Sequence, residues 1–238
     1  MTTRLIIARH GNTFAPGDVI RRVGSRTDLP LVASGLEQGR KLGLYLKSHD
    51  LLPDIVWTSD LQRTKQTAQM AFDAAGITPS VRQDSLFDEI DYGPDENKPE
   101  ADVAARLGEA ALKAWDQDAM VPDGWRVNAD NIIKGWRAFG DKIAREDQNL
   151  TVMVVTSNGV ARFAPYLTGD FEGFRQKFKI KISTGAFGLF TYDDGPHWVA
   201  ERWNVRPIWP GDLFDDGHLL SLGSKVSGDR VTCPPGDT

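Results

Sequence analysis

Leu5-Ile6-Ile7-Ala8-Arg9-His10-Gly11-Asn12-Thr13 is the stretch on which the fold turns. Four consecutive apolar residues read as a strand buried on both faces, the pattern of a parallel sheet covered by helices. The run ends on a guanidinium, an imidazole and a glycine, followed by Asn12 and Thr13. Open α/β sheets place ligands at the carboxyl ends of their strands. An imidazole is a competent nucleophile near neutral pH, and a neighbouring arginine offers a planar fork to an oxyanion. Three residues alone read more plainly as a histidine packed at a strand end, so the rest of the chain decides.

Outward from this strand, helical and extended patterns alternate. Residues 12–33 read as a loop carrying Arg21, Arg22, Arg26 and Asp28. Ser34-Gly35-Leu36-Glu37 fits a capping box and predicts a helix from Ser34, with Leu36, Gly39, Gly43 and Leu46 as a close-packing face. Residues 54–58 predict a second strand. Ser59-Asp60-Leu61-Gln62 is a second capping box, opening a helix that Gly76 closes. Residues 80–82 predict a weak third strand, and residues 88–100 an acidic loop. Val103, Leu107, Ala110 and Ala114 mark one helix; Ile132, Trp136, Phe139 and Ile143 mark another, after a loop over residues 120–128. Residues 151–156 predict a fully apolar strand, followed by Ser157-Asn158-Gly159 and a helix ending near Gly169. Residues 185–192 and 198–203 predict a hairpin around Asp193-Asp194-Gly195-Pro196. The class is α/β: a mostly parallel central sheet with helices on both faces. A single domain is expected over residues 1–205, with 90–130 as a candidate cap over the site and 206–238 as a C-terminal tail.

Composition narrows the function. The 238 residues are 40% hydrophobic and 26% charged, an ordinary globular balance with length for a sizeable core. The net charge of −5 and the lack of a basic stripe argue against a nucleic-acid partner. An anionic ligand then requires a local arginine cluster. Cys233 is the sole cysteine, so neither an internal disulfide nor a zinc motif is expected. No stretch reads as a signal peptide or a membrane span, and a cytoplasmic protein is the default expectation.

Five segments together carry a resemblance. They are Ala8-Arg9-His10-Gly11-Asn12-Thr13, residues 24–31 with Gly35, Thr58-Ser59-Asp60-Leu61-Gln62-Arg63-Thr64 with residues 65–68, Leu86-Phe87-Asp88-Glu89-Ile90-Asp91-Tyr92-Gly93, and Val154-Val155-Thr156-Ser157-Asn158-Gly159-Val160-Ala161-Arg162. In this order they resemble the histidine phosphatase superfamily, which includes the cofactor-dependent phosphoglycerate mutases. The resemblance spans residues 4–204 and implies a phosphoglycerate mutase-like fold. It also implies phosphoryl transfer through a phosphohistidine on His10, with Glu89 as general acid and Arg9 and Arg63 on the phosphoryl oxygens. Such chemistry needs an in-line nucleophile, neutralised oxygens and a proton for the leaving alkoxide. Arg63 falls in the first turn of its helix, where the helix dipole also favours an anion. Asp88 and Asp91 flank Glu89 and leave the identity of the acid open. Asn12 and Thr13 are candidate phosphate donors, and Arg22, with Arg21, a candidate contact to the distal part of the substrate. No metal or other cofactor is expected, because arginines supply the charge. The implied ligand is a small phosphorylated metabolite, with a homodimer as the candidate assembly.

The last motif departs from the family pattern. Its second histidine position is Ser157 here, followed by Asn158. Serine keeps a donor but loses a positive charge and reach. Loss of such an electrostatic contact costs about 2.7–4 kcal/mol in kcat. Three readings follow: a phosphomonoester hydrolase in which Ser157 and Asn158 help bind phosphate, a phosphoglycerate mutase-type transfer, or a degenerate member that only binds a phosphorylated ligand or a protein. The hydrolase is preferred, because nucleophile, arginines and acid all remain. His49, His197 and His218 read as surface residues, any one of which would have to fold inward to replace the missing imidazole.

Overall fold

The computed structural model describes residues 2–208. Strand β1 (Thr3–Arg9) pairs in parallel with β4 (Thr151–Thr156), which pairs in parallel with β2 (Ile55–Thr58), and β2 with the edge strand β3 (Ser80–Gln83). On its other side β1 meets the antiparallel hairpin of β5 (Phe187–Tyr192) and β6 (Val199–Val205). The sheet order is β3-β2-β4-β1-β5-β6.

Leu5 to Ala8 are fully buried, and their alternation sorts them onto two cores. Leu5 and Ile7 face a core with Trp57, Val152 and Val154, closed by Trp136, Phe139 and Ile143 of α5 (Ala129–Glu146). Ile6 and Ala8 face a second core with Val56, Met153 and Val155, closed by Leu42 and Leu46 of α1 (Ala33–Ser48) and Phe72 of α2 (Gln62–Ala75). Burial on both faces explains why the strand reads as a continuous apolar run. The expected small-residue face of α1 packs on α2. A Cβ at Gly43 would overlap the Ala71 carbonyl oxygen, and one at Gly39 would lie 2.9 Å from Met70 Cβ. Gly76 caps α2 in the left-handed region at φ 70°.

Four local expectations need correction. α1 starts at Ala33, with Val32 as its N-cap, so Ser34 lies inside the first turn. The Ser34 hydroxyl accepts from Asn12 Nδ2 (3.2 Å), and Glu37 pairs with Arg40 rather than turning back. The second capping box is also open. Leu61 is the N-cap; Ser59 Oγ accepts from Leu61 N and bonds Thr64 Oγ1, while Gln62 reaches Asp28. The helix expected around Val103 to Ala114 is two helices, α3 (Glu100–Leu107) and α4 (Glu109–Asp118), broken at Gly108, whose φ of 80° no continuous helix contains. The helix after Ser157 is a single turn, α6 (Asn158–Ala161), then a 3-10 stretch over Ala164–Thr168, where Pro165 cannot continue an α-helix. The further helix α7 (Phe171–Lys177) was not anticipated; Asp170 caps it by accepting from Gly173 N (2.8 Å).

Residues 90–130 are bonded among themselves and meet the preceding loop through Arg22, which pairs with Glu100. Asp95 accepts from Trp125 Nε1 (2.7 Å) and pairs with Arg106, and Arg22 lies over the Tyr92 and Trp125 rings at 5.2 Å from each. Of the expected C-terminal tail, only residues 206–208 are described; the rest, with His218 and Cys233, lies outside the described residues. Among the described residues no helix is long and apolar enough to cross a membrane.

Candidate active site

The three parallel strands β1, β2 and β4 end side by side, and each passes into a segment that carries polar side chains. His10 N donates to Thr156 O (3.0 Å), so the β1 and β4 ends are locked together and Ser157 follows directly beside His10. Gly11 permits the chain to turn here, since a Cβ would run into the Gly35 backbone. A cleft of about 720 Å³ opens over these strand ends. Its lining combines Arg9, His10, Asn12, Thr13, Glu89 and Asn158, at or next to the strand ends, with Arg21, Arg22, Glu100, Trp115, Asp116 and Lys181 from other segments, termed the outer cleft below.

His10 is buried and held at both ring nitrogens. Nδ1 lies 2.7 Å from the Gly11 carbonyl oxygen, and Nε2 lies 3.2 Å from Arg63 Nε. A carbonyl only accepts and a guanidinium only donates, so the proton belongs on Nδ1 and Nε2 carries the lone pair. Burial, reinforced by Arg63 and Arg9, pushes the imidazole well below its usual value. Neutral His10 therefore presents the nucleophilic nitrogen to its arginine neighbour.

Arg63 is fully buried on the first turn of α2. Its Nη1 and Nη2 donate to Thr27 O (2.8 Å) and Gly24 O (3.2 Å), so the loop of residues 12–33 fixes the plane of the guanidinium. Arg9 donates through Nη1 to Ile182 O (2.8 Å); its Nε is buried with no partner among the described residues. Burial lowers both arginines from the usual guanidinium value, and Glu89 works in the opposite sense.

Of Asp88, Glu89 and Asp91, Glu89 is the one that lines the cleft. Its Oε1 accepts from Ile90 N (2.9 Å); its Oε2 lies 3.2 Å from Gly159 N and 3.4 Å from the Tyr92 hydroxyl. Gly159 leaves just enough room: a Cβ there would overlap Oε1 and lie 2.8 Å from Ile90 Cγ1. The competing acids are engaged elsewhere. Asp88 accepts from Asp60 N (2.9 Å), and Asp91 pairs with Arg26 (3.0 Å) and Arg126 (3.5 Å).

The remaining expected residues divide. Thr13 and Asn12 both line the cleft, and the Asn12 side chain also bonds Ser34 and Thr184. Asn158 lines the cleft but accepts from Ile182 N (3.0 Å) through Oδ1. Ser157 is fully buried, and its hydroxyl has no partner among the described residues. Arg22 lines the outer cleft, paired with Glu100 at 2.6 Å. His49 stacks on Tyr45, and His197 lies against Gly169; neither lines the cleft. The sequence reading gave no role to Arg162, which is buried over the Trp115 ring at 3.8 Å and donates to Trp115 O and Asn158 O. Burial lowers it to about 10. Its signal was its place four residues after Asn158, one turn along the same face. Lys181 and Asp116 left no signal, because only tertiary folding brings them to the cleft.

Comparison with known proteins shows the family and the shared fold. The sequence profile of the histidine phosphatase superfamily (branch 1) matches residues 5–206. The chain belongs to that superfamily. It is 30% identical over 180 residues to a 2,3-bisphosphoglycerate-dependent phosphoglycerate mutase of Bifidobacterium longum, covering 72% of this chain and 68% of that one. It is 33% identical over 124 residues to the enzyme of the same name from Nocardia farcinica, covering 51% of this chain and only 49% of that protein. The fold is shared with a mycobacterial glucosyl-3-phosphoglycerate phosphatase, with a TM-score of 0.68, 20% identity, and 86% and 99% of the two chains covered.

Proposed function

We propose that this chain hydrolyses a small phosphomonoester through a phosphohistidine on His10. The observation that carries the reading is the tautomer of a cleft-lining histidine: Nδ1–H is tied to Gly11, which leaves the lone pair on Nε2, where it accepts from Arg63 Nε. Nε2 attacks phosphorus and forms the N–P bond as the P–O bond to the alcohol breaks. Glu89 gives its proton to the departing alkoxide. Arg63 Nε–H, released from Nε2, turns to a phosphoryl oxygen, and Arg9 offers its unpartnered Nε–H. Water then attacks the phosphohistidine, Glu89 takes up a proton, and phosphate leaves. Thr13, Ser157 and Asn158 are the neighbouring groups proposed to meet phosphate.

Hydrolysis is favoured over mutase-type transfer, although the aligned relatives carry the mutase name. A mutase must hold and rebind a bisphosphorylated intermediate, and Ser157 lacks the charge an imidazole there would add. The binding-only reading is disfavoured by the assembled His10, Arg9, Arg63 and Glu89. A small metabolite as substrate, a mildly acidic chain and a single cysteine fit a cytoplasmic setting.

Alkaline quench after mixing with 4-nitrophenyl phosphate should trap an acid-labile, base-stable phosphoryl group on His10, and His10→Ala should abolish it with turnover. Near-parental turnover by His10→Ala would end the proposal. Glu89→Gln should slow alkyl phosphates far more than aryl phosphates, whose leaving groups need little protonation; equal losses on both would remove Glu89 as the acid.

A further inference from the structure

The outer cleft has a chemistry of its own. The cleft as a whole, at about 720 Å³, has the volume of a pocket for a ring-sized ligand and exceeds what a three-carbon phosphate fills. Two carboxylates line the outer cleft. Glu100 sits 2.6 Å from Arg22, and Asp116 sits 2.7 Å from Lys181 and 3.7 Å from Arg162. Each of these cations is thus already met by an acid. Arg21, a further cation of the lining besides Arg9 at the strand ends, is exposed with Nη1 on Asn97 O. The same lining also carries apolar surface, from Phe14, Ile20, Leu112 and Trp115.

We infer that the leaving alcohol is a hydroxylated ring without a second anionic group, of the sugar or nucleoside class, rather than a phosphoglycerate. The inference rests on the phosphomonoesterase reading and deepens it. A carboxylate or second phosphate in the outer cleft would have to displace Glu100 from Arg22 or Asp116 from Lys181, and would meet those acids at close range. A hydroxyl does neither: it donates to a carboxylate that keeps its cation, since an ionised carboxylate has about four lone-pair sites. The apolar lining takes the face of the ring, where aliphatic and aromatic surface packs without a polar cost. Arg22 is held flat over Tyr92 and Trp125, so its pairing edge stays directed at Glu100 and is not free to follow an anion.

The test is the specificity of the parent protein. Values of kcat/KM are compared for glucose 6-phosphate, adenosine 5′-monophosphate, 3-phosphoglycerate and 4-nitrophenyl phosphate, the last reporting phosphoryl chemistry without hydroxyl donors for Glu100 and Asp116. The better of the two ring substrates should exceed 3-phosphoglycerate by about tenfold or more, the effect of two nearby like charges. Which ring substrate leads separates the sugar from the nucleoside source. Glu100→Gln combined with Asp116→Asn should shift the ratio toward 3-phosphoglycerate by a similar factor. If 3-phosphoglycerate equals or beats both ring substrates while His10-dependent turnover of 4-nitrophenyl phosphate persists, this inference is overturned and the hydrolase reading stands. If 4-nitrophenyl phosphate shows no His10-dependent turnover, the hydrolase reading falls and takes this inference with it.

Discussion

Gly159→Ala is the substitution that most directly weighs the placement of Glu89. The new Cβ would overlap Glu89 Oε1, lie 3.0 Å from Glu89 Cδ and lie 2.8 Å from Ile90 Cγ1. Ordinary contact is 3.4–4 Å, so the carboxyl group must retreat by 0.4–1.0 Å at Cδ and further at Oε1. The Gly159 N–H bond to Oε2 is lengthened by the same movement. A general acid contributes about 10²–10⁴-fold, and a displacement on the order of 1 Å removes about 10²-fold. The expected result is a kcat about 100-fold lower on an alkyl phosphate, or about 2.7 kcal/mol in the barrier. On 4-nitrophenyl phosphate the loss should stay below about tenfold, because that leaving group departs without a proton. Gly159 lies in α6 and has no positive φ, so alanine meets no backbone strain and the fold should persist in a thermal melt. Glu89→Asp added to Gly159→Ala shortens the acid away from the methyl and should recover part of the alkyl activity. A folded Gly159→Ala protein that hydrolyses alkyl phosphates within threefold of the parent would refute the assignment of Glu89 as a positioned acid.

Three further outcomes are expected. Ser157→Ala should raise the melting temperature, because it deletes a buried hydroxyl without a partner, worth about 1–3 kcal/mol when unsatisfied, and should lower kcat/KM by up to about tenfold if that hydroxyl meets phosphate; Ser157→His should retain or raise turnover, and loss of a robust activity would show a pocket rebuilt around the small residue. His10 has a reference value of 6.5 and lies well below it when folded, so the unfolded chain takes up the proton first and stability falls as pH drops below 6.5. Denaturant titrations at several pH values should show that slope flattened in His10→Asn, and an unchanged slope would mean that His10 is not buried neutral. Gly43→Ala should destabilise the protein by about 1–3 kcal/mol through overpacking against the Ala71 carbonyl, outweighing the gain in helix propensity; a rise in melting temperature would contradict the close α1–α2 approach.

Much of the fold was legible because burial leaves a pattern. Leu5 to Ala8 and Val152 to Val155 are apolar without interruption, since helices cover both faces of the sheet. Gly76 announced the end of α2 by the one conformation that favours glycine there. The capping boxes failed for a different reason. Ser34 and Ser59 have the right neighbours in sequence, but Asn12 and Thr64 compete for their hydroxyls from distant or later positions. The break at Gly108 was hidden because the apolar spacing runs on across it.

By itself the sequence determined the α/β class, the strand ends as the place of the site, and the order of its motifs, because strand burial and strand-end chemistry are written in contiguous residues. The candidate set around Arg9, His10, Arg63 and Glu89 was legible for the same reason. Only the tertiary structure decided how these side chains are used. It put the proton on His10 Nδ1 by setting a carbonyl on one side and Arg63 on the other. It brought Glu89 to the cleft while giving Asp88 and Asp91 partners elsewhere, and bonded Asn12, itself in the cleft lining, to Ser34 and Thr184. It also built the outer cleft from Arg22, Glu100, Asp116 and Lys181, which lie on separate segments of the chain. Hydrogen-bond partners and ion pairs depend on distances between segments far apart in sequence, and no local pattern of residues encodes those distances.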